Sequence, residues 1–142
     1  MENIASTEFL AEYHELEQIR VFVERYMNMF GCSSEVVYDM SFSITELATN
    51  IIQHGYKEKS GNIEIIICRE GRDFIVKIRD DAPIFDPATI PDPDLSKPLI
   101  EMPLSGLGLY ITKNLVDSLT HQFTKTGGNE IILVKKNIIR NI

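Results

Sequence analysis

Two polar side chains of different chemistry, Glu46 and Asn50, lie four residues apart in one segment of the chain. In a helix this spacing stacks them on one face, and Ser43 and His54 extend the same polar stripe. A carboxylate on a rigid helix can take a proton from a nucleophile, and an amide oxygen suits Mg²⁺, a hard cation that uses few protein oxygens. The same spacing is also typical of a solvated helix face, so the spacing alone leaves both interpretations open.

A pair of carboxylates, Asp80 and Asp81, directly follows a β-branched run and opens a segment rich in proline. An aspartate that emerges at the end of a strand is well placed to face a ligand. Aspartates before proline also initiate turns by accepting hydrogen bonds from their own backbone, as Asp86 can do as well. A ligand-facing Asp80 and a turn-forming Asp80 both fit the sequence.

The segment Ser105-Gly106-Leu107-Gly108-Leu109 stands between that proline-rich segment and a run with helical periodicity. Small residues at a helix start let backbone N–H groups approach an anion such as a phosphate. A single Gly-x-Gly is weak evidence, because a helix start also tolerates glycine for no functional reason. The three sites taken together favour a phosphate-bearing ligand more than each does alone.

The elements that position these groups follow from hydrophobic periodicity and turn residues. The sequence predicts an edge strand in 1–9, a helix from Leu16 to a stop at Gly31, a helix capped by Ser33 or Ser34 and closed by Gly55, a hairpin of Ile63–Cys68 and Phe74–Arg79, a long loop 81–105, a helix Leu107–Leu119, and a hairpin of Phe123–Thr126 and Ile131–Lys136 turning at Gly127-Gly128-Asn129. This order predicts one α+β domain, a two-layer α/β sandwich with helices on one face of a mixed, mainly antiparallel sheet.

Composition narrows the classes of partner and compartment. The chain has 142 residues and a net charge of -7 without a basic cluster, which disfavours direct binding to nucleic acid. Neither a membrane-length apolar run nor a basic start typical of a signal peptide is present, so we expect a cytoplasmic protein with no membrane contact. Cys32 and Cys68 lack metal-ligand spacing and are expected to be reduced.

The motifs, in their order and spacing, resemble those of a known family. Residues 46–56 (ELATNIIQHGY) resemble the N box of the GHKL ATPases in their anti-sigma factor serine kinase branch. Residues 80–87 (DDAPIFDP) resemble the first glycine box, and residues 106–109 (GLGL) resemble the second. The resemblance covers nearly the whole chain and implies a single histidine-kinase-like ATPase domain over residues 1–142, with the Bergerat fold.

The resemblance also implies roles for individual residues. Glu46 becomes the general base, Asn50 the ligand of Mg²⁺, and Asp80 the acceptor for the adenine amino group of ATP. Nucleotide-binding positions are implied at Asn50, Asp80, Ala82, Phe85, Ser105, Gly106, Leu107, Gly108 and Leu109. Related kinases phosphorylate a serine on an anti-anti-sigma (STAS-type) partner and can sequester a sigma factor, and the family implies a homodimer.

The chain departs from the family pattern at two places. Ala82 and Ile84 stand where the first box usually has glycines, which restricts the backbone there. Leu104 and Ser105 stand where some family kinases carry a basic residue. The alternative function is therefore a non-catalytic regulator, in which a bound nucleotide changes affinity for a protein partner.

Overall fold

The computed structural model describes residues 1–83, 91–98 and 104–141, except for the side chains of residues 104–106. The elements are β1 (Glu2–Leu10), α1 (Leu16–Met29), α2 (Ser34–Asn50), β2 (Asn62–Glu70), β3 (Asp73–Asp80), α3 (Leu104–Leu115), β4 (Ser118–Phe123) and β5 (Asn129–Lys135). A 3₁₀ turn (Tyr13–Glu15) precedes α1, and a π-helical turn (Ile51–Gly55) follows α2. Within the described ranges, no helix has the length and apolar character needed to cross a membrane.

The five strands form one sheet in the order β1-β2-β3-β5-β4, and all the described pairs are antiparallel. The sequence predicted a mixed, mainly antiparallel sheet, and β1 lies at the edge as predicted. All three helices pack on one face, because alternate residues of β2, β3 and β5 share a hydrophobic core with them. Ile66, Cys68 and Ile75 form a smaller apolar cluster on the opposite face. The predicted α+β two-layer sandwich is confirmed.

The first two helices begin and end close to where the sequence placed them. Gly31 follows α1 with φ +71°, a conformation that glycine adopts without strain. The Ser33 hydroxyl accepts a hydrogen bond from the Val36 N–H at 3.4 Å and caps α2. The α-helix ends at Asn50, however, and the chain reaches Gly55 through the wider π-helical turn.

The predictions for the last helix and hairpin were wrong in their boundaries. The helix was expected to run to Leu119, but α3 ends at Leu115, and Leu119 lies in β4 opposite Leu133 of β5. Apolar residues at 115, 116 and 119 fit a helical period, and cross-strand pairing with β5 overrides it. The strand predicted at Phe123–Thr126 is instead β4, which begins at Ser118 and has Phe123 as its last residue. The chain turns from Thr124 onward.

Candidate functional site

Glu46 lies on α2 with its side chain half-buried. Burial raises the pKa of its carboxyl above the usual value for glutamate, because the charged form loses hydration there. The carboxylate thereby becomes a stronger base near neutral pH than a solvated glutamate. Glu46 also borders a groove of about 550 Å³ between α1 and α2, whose lining includes Ser34, Tyr38 and Phe42.

The Glu46 carboxylate lies directly against Gly108 of α3. A Cβ placed on Gly108 would stand 2.1 Å from Glu46 Oε2 and 2.7 Å from its Cδ. Gly108 lies inside a helix, so its backbone conformation does not require glycine. The close approach of the Glu46 carboxylate is what leaves no room for a side chain there. The structure thus brings together the candidate base and the second glycine of the Gly-x-Gly segment, which lie 62 residues apart along the chain.

Asn50 is the last residue of α2 and is only 2% exposed. Within the described part of the chain its side-chain Nδ2 has no hydrogen-bond partner. A buried amide with unmet hydrogen-bonding capacity costs stability, so such a group is often found where a ligand supplies the missing partner. The π-helical turn that begins at the next residue is a feature that is frequent at functional sites.

Asp80 ends β3 and is 5% exposed. Its Oδ1 accepts hydrogen bonds from the Ala82 N–H and from the Asn129 Nδ2, both at 2.9 Å. Burial raises the pKa of the Asp80 carboxyl, and these two donors oppose the rise by stabilising the charged form. Asp80 is therefore a buried, ordered acceptor at the end of a strand.

Asn129 is a residue at this site that the sequence analysis did not identify. It was assigned to a hairpin turn, whereas it begins β5 and pairs in register with Asp80. Its Oδ1 lies 2.9 Å from Nε2 of His121 on β4. The sequence signal was present as a polar residue that follows two glycines, but only the strand register reveals its partner.

Tyr56 is the second residue whose role the sequence analysis missed, although it closes the quoted 46–56 motif. Its hydroxyl accepts a hydrogen bond from the Asp81 N–H at 2.8 Å and donates one to the Asn62 carbonyl at 2.7 Å. Beside it, a Cβ on Gly55 would stand 3.1 Å from the Cβ of Ala82. These contacts join the turn after Asn50 to the chain that follows Asp80.

The other predicted binding residues differ in what the structure describes. Ala82 is 2% exposed beside Asp80, and Leu107 is half-buried on α3. Leu109 is 1% exposed, and its side chain packs in the hydrophobic core. Ser105 and Gly106 belong to α3, but their side chains are outside the description. Phe85 and Ile84 lie outside the described residues, as does most of the predicted loop 81–105.

The fold and these motifs define the class of protein. The family model described as histidine kinase-like ATPase domain matches residues 9–135, nearly the whole chain. The chain belongs to this family of ATPase domains.

Curated relatives place the chain more narrowly, among the serine-protein kinases called RsbW. The proteins of that name from Bacillus cereus (strain AH820) and Bacillus thuringiensis (strain Al Hakam) are both 31% identical to it over 129 residues, which span 88% of this chain and 78% of theirs. A crystal structure of the RsbU and RsbW domains of Rv1364c from Mycobacterium tuberculosis has a TM-score of 0.63 and 16% identity. That match covers 98% of this chain but 35% of the other, and it supports the fold alone.

Proposed function

We propose that this chain is a cytoplasmic, ATP-dependent serine kinase that phosphorylates an anti-anti-sigma (STAS-type) partner and sequesters a sigma factor. The observation that carries the proposal is the Glu46 carboxylate, half-buried with a raised pKa and held against Gly108 of the Gly-x-Gly segment. A base beside a phosphate-binding segment is the arrangement that phosphoryl transfer to a hydroxyl requires.

ATP is the nucleotide that this chain fits best. Asp80 is a buried carboxylate acceptor, which matches the exocyclic amino group of adenine. The first turn of α3 has backbone N–H groups without partners inside the helix, and the resemblance assigns the phosphates to this segment.

Mg²⁺ is the cofactor that we assign to Asn50. The fit rests on the chemistry of the buried Asn50 amide, whose oxygen is a hard, neutral ligand of the kind that Mg²⁺ takes from a protein. Its Nδ2, which has no partner among the described residues, is a hydrogen-bond donor that a phosphate oxygen of the nucleotide would satisfy. When bound, the ion would neutralise charge on the phosphates. The amide oxygen of Asn50 is the group that would hold it.

The proposed reaction is the transfer of the γ-phosphoryl group to a serine hydroxyl. The serine oxygen forms a bond to the γ-phosphorus, the bond from that phosphorus to the bridging oxygen breaks, and ADP leaves. Glu46 takes the hydroxyl proton. Catalysis then depends on alignment of the hydroxyl with the phosphate and on the position of the Glu46 carboxylate.

A protein substrate is supported by the groove between α1 and α2. Glu46 borders this groove, which is lined by side chains of both helices and opens to solvent. A serine on a partner's surface can approach Glu46 along it. By family resemblance the kinase acts as a homodimer.

Two titrations and one transfer assay test the proposal. Calorimetry with ATP, with and without Mg²⁺, is expected to show Mg-dependent binding in the wild type that weakens in Asn50→Ala. Glu46→Gln is expected to bind ATP normally but to lose transfer of labelled phosphate to a STAS-type partner protein. Glu35→Gln is the matched control, because Glu35 is an exposed glutamate at the start of the same helix.

The outcomes separate the kinase from the non-catalytic regulator. Transfer that persists in Glu46→Gln removes Glu46 from the mechanism. Wild-type protein that binds ATP but transfers no phosphate to any tested partner supports the non-catalytic regulator. The residues Ala82 and Ile84, which stand where the first glycine box usually has glycines, also favour the regulator. Absence of binding at millimolar ATP contradicts both functions.

A further inference from the structure

We infer that Asn129, oriented by His121, is the positioning residue that aims Asp80 and sets the base selectivity of the nucleotide site. The inference rests on the proposed binding of ATP. It concerns two residues that neither the motifs nor the comparisons assign, and it is carried by a chain of hydrogen bonds across three strands.

The Asn129 side chain ties the end of β3 to the chain that follows it. Asn129 is 2% exposed, and its Nδ2 lies 2.9 Å from Asp80 Oδ1, 3.1 Å from the Ala82 carbonyl and 3.4 Å from the Pro83 carbonyl. All three neighbours are acceptor oxygens. The amide nitrogen must therefore be the atom on this side, and the amide orientation is fixed by chemistry.

His121 holds the other end of the same amide. Because Asn129 Oδ1 can only accept, the His121 Nε2 that lies 2.9 Å away carries a proton and donates it. The His121 ring packs edge-on against Phe123 with 5.0 Å between ring centroids. The imidazole is thus supported by a neighbouring ring, and it transmits a fixed orientation to the amide.

The consequence for Asp80 is that its two carboxylate oxygens become different. Oδ1 receives N–H donors from both Ala82 and Asn129, which fixes the plane of the carboxylate. The other oxygen is then the acceptor offered to a ligand. A purine with a 6-amino group donates to it, whereas a 6-oxo purine places an acceptor against an acceptor, which leaves this second oxygen without a donor.

A purely structural role for Asn129 predicts a different result from a selectivity role. If the amide only stabilised the strand ends, its loss would lower the stability of the fold and weaken the binding of all nucleotides alike. If it aims Asp80, its loss reduces the preference for a 6-amino base over a 6-oxo base. The ratio of two affinities therefore distinguishes the roles.

The experiment is calorimetric titration with ATP and with inosine triphosphate, both with Mg²⁺. Asn129→Leu keeps the branched shape and removes both the NH2 donor and the carbonyl acceptor of the amide, and we expect the preference for ATP to fall about tenfold or more. His121→Leu is expected to reduce it in the same direction. His121→Gln retains an N–H donor in place of Nε2 and is expected to restore the preference of the wild type.

Thermal unfolding establishes whether each variant is folded. If Asn129→Leu does not fold, the comparison of His121→Leu with His121→Gln tests the role of the Asn129 amide. A folded Asn129→Leu with the wild-type preference, or equal ratios in His121→Leu and His121→Gln, overturns the inference. Wild-type protein that binds no ATP refutes the proposed function instead. In ligand-free, isotopically labelled protein, NMR is expected to show Asn129 side-chain amide protons protected from exchange in His121→Gln and exposed in His121→Leu.

Discussion

Gly108→Ala is the substitution that tests the placement of the candidate base most directly. The new Cβ would stand 2.1 Å from Glu46 Oε2, whereas real Cβ contacts are essentially never shorter than 3.0 Å. The carboxylate must therefore move by at least about 0.9 Å, since the α3 backbone is held by its own hydrogen bonds. Gly108→Ala thus displaces Glu46 without altering the chemistry of Glu46.

The expected effect is large on catalysis and small on stability. A displacement of roughly 1 Å in a reacting group costs about a hundredfold in rate, or about 2.7 kcal/mol in transition-state free energy. Alanine is better than glycine inside a helix by about 1 kcal/mol, which offsets part of the strain in the folded state. We expect the rate of transfer to fall about a hundredfold while the free energy of unfolding changes by about 1 kcal/mol or less.

Two assays measure the effect. Transfer of labelled phosphate to the partner protein gives the rate, and an NMR titration of the Glu46 carboxyl gives its pKa without any partner. Because burial raises that pKa, a carboxylate displaced towards solvent titrates closer to the usual value. Glu46→Asp in the same chain shortens the side chain by one methylene, about 1.5 Å, and makes room for the alanine.

Steric contact between positions 46 and 108 would make Glu46→Asp and Gly108→Ala non-additive. In the double variant that carries Glu46→Asp and Gly108→Ala, the rate is expected to fall by a smaller factor than the product of the two single-variant factors. The reason is that both substitutions disturb the same contact. Strict additivity refutes a steric coupling between Gly108 and Glu46. A Gly108→Ala protein with the wild-type rate and the wild-type Glu46 pKa refutes the placement itself.

Three other predictions concern stability and binding. The pKa of Glu46 is higher in the folded state than in the unfolded state, so ionisation of its carboxyl lowers the stability of the fold as pH rises through the folded-state pKa. Glu46→Gln is therefore expected to raise the melting temperature above that pH and to leave it unchanged below the unfolded-state pKa. Asn50→Leu removes a buried amide with an unpartnered nitrogen, so the free energy of unfolding is expected to stay equal or rise by up to about 1–3 kcal/mol while Mg-dependent ATP binding is lost, as urea unfolding and calorimetry would measure. Tyr56→Phe removes the hydroxyl that bridges Asp81 and Asn62, and urea unfolding should show a loss of about 1 kcal/mol.

The parts of the fold that depend on local pattern could be predicted from the sequence. α1 and α2 follow from apolar residues at helical spacing, and the Ser33 cap and Gly31 stop mark their ends. The boundary between α3 and β4 could not be predicted, because Leu119 fits the helical period and its strand pairing depends on Leu133, which lies 14 residues later in the chain.

The candidate site divides in the same way. The spacing of Glu46 and Asn50 is a local property and was visible in the sequence. The contact of Glu46 with Gly108 and the pairing of Asp80 with Asn129 arise from how helices pack and how strands register. No single-sequence signal specifies either, since a shift of one residue in β5 would turn Asn129 to the other face of the sheet.

The distance along the chain between Asp80 and Asn129, 49 residues, has a consequence for synthesis on the ribosome. Joining segments so far apart requires closure of a long loop, which slows folding and delays this contact relative to local ones. The hairpin of β2 and β3 can form early, while Asp80 lacks its partner until β5 has been translated and has paired with β3. A nascent chain is therefore expected to acquire its helices before it completes the pocket that we propose for base recognition.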